Sequence, residues 1–76
     1  MQRFVLTDHA QQRMAKRRIT EEDIIEVLEH HDDRLERDDG CVEYIGPARG
    51  RLLKVVLDEN DEPPPVVTAH RLPGRR

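Results

Sequence analysis

His9, Arg13, Lys16 and Arg17 recur at helical spacing in DHAQQRMAKRR, and His70 stands in VVTAHRL near the far end of the chain. At roughly 100° per residue the first four fall on one stripe of a helix, flanking the apolar pair Ala10 and Met14. A row of cations with an imidazole suits a phosphodiester. Guanidinium groups grip phosphate oxygens through two donors, and histidine exchanges a proton near neutral pH. The structural alternative is a solvated helix face with i,i+4 spacing. Like charges along one stripe repel mildly, which leaves a reason to look for a function.

The strands that follow offer partners for this stripe. Thr68 and His70 alternate with Val67 and Ala69, so they share a face of the last strand. On the strand before it, Lys54 shares a face with Leu52 and Val56, whereas Arg51 shares the other with Leu53, Val55 and Leu57. Which face meets the helices is open at this level. If His70 emerges near His9, the two act as general base and general acid on either side of a scissile P–O bond, with Arg13, Lys16 and Arg17 holding the phosphate. Thr68, Arg51 and Lys54 then support the site. Such a site cleaves RNA by activating the ribose 2′-hydroxyl and needs no metal or cofactor; the plainer reading is an isolated strand histidine. HHDD at 30–33 holds ligand-type residues, but neighbours in sequence point different ways and do not converge on one ion. His31 reads as a helix-end residue favoured by the negative end of the dipole. Cys41 reads as a small buried strand side chain.

The elements that would position these groups are legible from caps, period and breakers. Thr7 or Asp8 caps a first helix over about 8–18. Thr20 followed by Glu21, Glu22 and Asp23 opens a second over about 20–31, with its acids where the macrodipole favours them. Ile24, Ile25, Val27 and Leu28 form its apolar side. Strands are expected at about 34–37, 41–45, 51–57 and 65–71, with DDG and GPARG as turns and DENDEPPP as a stiff polar connection. Residues 73–76 are expected to be a frayed tail. The fold class is α+β: two N-terminal helices packed on an antiparallel sheet of three to four strands.

Composition narrows the function classes. Seventy-six residues with one Phe and one Tyr form one domain with a modest core, and dimerisation would supply burial that the monomer lacks. A lone cysteine and the absence of a leader or a long apolar run point to a cytoplasmic protein away from membranes. The net charge of −3 argues against a bulk duplex-DNA binder. That average conceals a reversal. Residues 1–18 carry five basic and one acidic side chain, residues 19–43 two basic and eleven acidic.

The run DHAQQRMAKRRITEEDIIEVLEHHD, with GRLLKVVLDEN and PVVTAHR, resembles the domain of unknown function 4258 family over nearly the whole chain. His9, Ala10, Arg13, Met14 and Arg17 match its opening motif, and Thr68 falls on its closing strand. That family in turn looks like the RelE and BrnT type of toxin fold, which includes metal-independent ribonucleases. The resemblance implies a small endoribonuclease with RNA as substrate and an antitoxin protein as partner. His70 is not required by the family pattern, and the acidic net charge departs from strongly basic ribosome-dependent relatives. Two other readings stand beside it: a non-catalytic protein- or RNA-binding module, and a homodimer in which the basic stripe meets the acids of a mate's second helix.

Overall fold

The computed structural model describes residues 3–73. The chain builds α1 (Asp8–Arg17), α2 (Glu21–His30), β1 (Asp33–Glu36), β2 (Cys41–Ala48), β3 (Arg51–Asp58) and β4 (Val66–Arg71). The strands lie in the order β1-β2-β3-β4, each antiparallel to the next. The α+β expectation holds. Of the expected tail, only Pro73 falls within the described residues.

Both helices begin where a hydroxyl can satisfy their first amides. Thr7 Oγ1 accepts from the Ala10 N–H at 3.1 Å. Thr20 Oγ1 accepts from Asp23 N–H at 3.2 Å while Asp23 Oδ2 accepts from Thr20 N–H at 3.0 Å, a reciprocal box that fixes the start of α2. The short α1–α2 connection turns through Arg18, whose φ of 57° lies in the left-handed region, and buries Ile19.

One face of the sheet carries the core. Leu53, Val55 and Leu57 from β3, Val42 and Tyr44 from β2, and Val66 and Ala69 from β4 meet Ala10 and Met14 of α1 and Ile24, Val27 and Leu28 of α2. Thus Arg51, in step with Leu53, sits on the helix side, and Lys54 sits on the open side. Phe4 and Leu6 pack against the rim. The Val5–Pro65 bridge ties the N-terminal segment to the chain just before β4.

One strand is longer than its sequence suggests. GPARG is not a turn throughout: β2 runs on through Gly46, Pro47 and Ala48, and only Arg49 and Gly50 turn the chain. Pro47 is tolerated because β1 pairs only with residues 42–45, so the missing N–H faces the side where β1 has ended. Gly46 is needed for a different reason. A Cβ there would stand 2.8 Å from the His31 backbone, so the end of α2 rests directly on β2.

Candidate anion site

The α1 stripe divides. His9, Arg13 and Lys16 remain exposed and make no hydrogen bond or ion pair among the described residues. Arg17 alone reaches the sheet. Its Nη1 donates to Ala69 O at 2.9 Å and, at 3.5 Å, to Thr68 Oγ1. His9 precedes Arg17 by more than two turns, about 12 Å along the axis, and projects from the helix layer. His70 points to the opposite sheet face, because its neighbours Ala69 and Arg71 point to the helices. Among the described residues no hydrogen bond, ion pair or ring contact joins the two histidines.

What the fold does assemble is a cluster of arginines at one end of the sheet. Arg17 and Arg18 close α1, Arg49 lies in the β2–β3 turn, Arg51 opens β3 and Arg71 ends β4. Together they line a pocket of about 310 Å³. Beneath them lies Asp23, 2% exposed and the buried charged residue among those described. Arg49 donates to it twice, Nε to Oδ1 at 2.8 Å and Nη2 to Oδ2 at 2.7 Å, and Arg71 Nη2 approaches Oδ2 at 3.5 Å. Burial alone would raise the Asp23 carboxyl, but the bonds from Arg49 and the Thr20 backbone outweigh it and hold the group below its ordinary value.

These arginines have different tasks. Arg71 is structural: its Nη1 donates to Ala48 O at 2.6 Å and Arg51 O at 3.1 Å, clamping the β2–β3 turn against β4. Arg49 is split between Asp23 and Arg18 O, which accepts from its Nη2 at 3.0 Å. The guanidinium groups of Arg18 and Arg51 make no hydrogen bond or ion pair among the described residues, and both residues are exposed. One buried carboxylate therefore serves two of the five arginines, Arg49 and Arg71, while the side chains of Arg18 and Arg51 have no partner among the described residues. A concave surface with that excess of positive charge attracts anions.

Backbone conformation points to the same place. Among the described residues the non-glycine positions with positive φ are Arg18 at 57° and Arg49 at 54°. A left-handed residue at a helix C-terminus is usually glycine, since a Cβ costs roughly 1 kcal/mol there. Both exceptions line the pocket.

The open sheet face carries a second polar group. His70 lies directly across from Lys54, and Lys54 Nζ stands 3.6 Å from Glu43 Oε1, which in turn has Arg37 Nη1 at 3.5 Å from its other oxygen. Burial and the cations of Lys54 and Arg17 push the His70 imidazole below its usual value, with Glu43 opposing. Both effects favour the neutral form of the imidazole. Arg17 and Thr68 at the β4 edge link this face to the pocket.

The remaining sequence candidates settle as follows. HHDD is split among the end of α2, its cap and β1; His31 Nδ1 lies 3.1 Å from Leu28 O and its ring meets Tyr44 edge-on at 5.0 Å. No group of three or more metal-ligand side chains gathers among the described residues. Cys41 is half-buried rather than buried, and its thiol is pushed up by burial and by Asp39 and Asp58. No helix among the described residues is long and apolar enough to cross a membrane.

The fold is that of a small α+β protein with an arginine-lined pocket at one end of its sheet. Residues 6–71 match the family described as Domain of unknown function (DUF4258), and the chain belongs to that family. No curated protein and no solved structure gives a significant match.

Proposed function

We propose that the protein binds RNA by its phosphate backbone, seating one phosphate in the pocket of Arg17, Arg18, Arg49, Arg51 and Arg71. The observation that carries this reading is the free pair Arg18 and Arg51 above a carboxylate already neutralised by Arg49. The pocket admits a phosphate group and not a duplex, and the net charge of −3 disfavours broad coating of a polyanion. Recognition is led by phosphate because Phe4 and Tyr44 are committed to packing and offer no stacking platform. Binding to a labelled single-stranded RNA, followed by fluorescence anisotropy, tests it: affinity falls as salt rises and inorganic phosphate competes.

A second reading, metal-independent cleavage of the bound strand, is favoured by one observation, the placement of His70 directly across from Lys54 on the open sheet face, where burial and the nearby cations favour its neutral form. His70 takes the 2′-hydroxyl proton and the 2′-oxygen attacks the adjacent phosphorus. The 5′-oxygen leaves with a proton from solvent, giving a 2′,3′-cyclic phosphate, while Lys54 and Arg17 offset the developing charge. The resemblance to RelE and BrnT type toxins agrees with this reading, as would an antitoxin partner. Incubation with RNA in EDTA decides it: cutting lost in His70→Ala supports cleavage, and no cutting by the native chain leaves binding alone.

A further inference from the structure

The two edges of the sheet are finished differently. At the β4 side, Val5 N–H donates to Pro64 O, Val66 N–H donates to Val5 O, and Arg17 covers the Ala69 carbonyl. At the other side β1 lies bare, all four residues exposed and Leu35 53% exposed. Arg37 N–H donates to Cys41 O, and this pair continues the β1–β2 register. By the alternation of an antiparallel ladder, the backbone groups of Asp33 and Leu35 turn to β2 and those of Arg34 and Glu36 turn outward.

The residues on this edge are complementary to themselves. In Asp33-Arg34-Leu35-Glu36-Arg37, an antiparallel copy centred on Leu35 sets Arg34 against Glu36, Leu35 against Leu35 and Asp33 against Arg37. The positions brought opposite as hydrogen-bonded pairs, Arg34 and Glu36, are those whose backbone groups face out. A register shift that keeps these donors in use sets Arg34 against Arg34 or Glu36 against Glu36, which like-charge repulsion disfavours. We propose that β1 pairs with β1 of a second copy about a two-fold axis at Leu35, joining two four-stranded sheets into one.

Charged side chains on a short edge strand also serve to keep sheets apart. The two roles part on charge reversal. Sedimentation velocity of the full chain, at concentrations up to about 0.5 mM to reach a weak dimer, is the measurement. The native chain is expected to show a dimer fraction that rises with concentration. Glu36→Arg and Arg34→Glu each weaken association by about tenfold, and the combined exchange Arg34→Glu with Glu36→Arg restores it, because opposite charges again face across the axis. Because each single reversal also removes the Arg34–Glu36 pair of 2.8 Å within β1, a thermal melt of each single variant is taken alongside to show that it folds. A native chain that stays monomeric throughout, or a dimer indifferent to both reversals, overturns the proposal.

Discussion

Arg49 holds Asp23 through two parallel bonds of 2.8 and 2.7 Å, joining the β2–β3 turn to the first turn of α2 across 26 residues of sequence. The carboxylate is buried and capped as well by the Thr20 N–H, whereas the Arg49 side chain is 58% exposed. The pair is thus asymmetric: one member depends on the fold for its charge, the other can be hydrated without it. Arg71 shares that carboxylate at 3.5 Å, so Arg17, Arg18 and Arg51 are the pocket arginines with no carboxylate partner among the described residues.

Removing either partner should destabilise the fold. Asp23→Ala loses the pair and the capping box together and is expected to destabilise by about 3 kcal/mol, while Arg49→Ala destabilises by another route, leaving the buried carboxylate to the Thr20 N–H and to Arg71 at 3.5 Å. The sign with pH follows from the depressed carboxyl. Its stabilisation is full above the ordinary value of 3.8 and is lost as pH falls through the lower folded value. Urea midpoints across this acid range check both points: the native chain loses stability there, and Asp23→Asn flattens the dependence.

Arg18→Gly separates stability from binding. The backbone at 57° suits glycine, so relief of the left-handed strain is offset only in part by unfolded-chain entropy, and a gain of up to about 1 kcal/mol is expected. RNA affinity should fall in the same variant. Thermal melts and anisotropy on one preparation read both quantities.

His70 should titrate below 6.5 in the free protein. Lys54→Met removes a facing cation and moves the titration up toward that value, as does Arg17→Met; Glu43→Gln removes the opposing anion and moves it down. Imidazole resonances followed by NMR across pH report each shift. A bound phosphate near the β4 edge would raise the value again.

Gly46→Ala tests the seat of α2 on β2. The added Cβ meets backbone at 2.8 Å rather than a side chain that can swing away, so a loss of about 2 kcal/mol is expected from chemical denaturation.

Much of the architecture was legible because it is written in local chemistry. Thr7 and Thr20 announce their helices and Gly40 its turn, whereas the choice of the Leu53, Val55 and Leu57 face as the one that meets the helices was open until the helices were placed. The extent of β2 was not legible either, because Pro47 reads as a breaker until it is known that β1 stops short of it. The site was legible only in part. Arg17, Arg51, Lys54, Thr68 and His70 were within reach of spacing arguments, yet Arg51 and Lys54 separate to opposite faces. Arg18, Arg49 and Arg71 were missed. Each sits at the end of a different element, and only strand register and the Asp23 contact bring them together.

The central claim is that the free guanidinium groups of Arg18 and Arg51 hold RNA phosphate. Anisotropy of a labelled single-stranded RNA titrated with the native chain and with Arg18→Ala/Arg51→Ala, at two salt concentrations, tests it most directly. The account predicts saturable binding by the native chain and at least about a tenfold loss in the double variant, with a shallower salt dependence because fewer counterions are released. Equal affinity and equal salt dependence in the two proteins would contradict it.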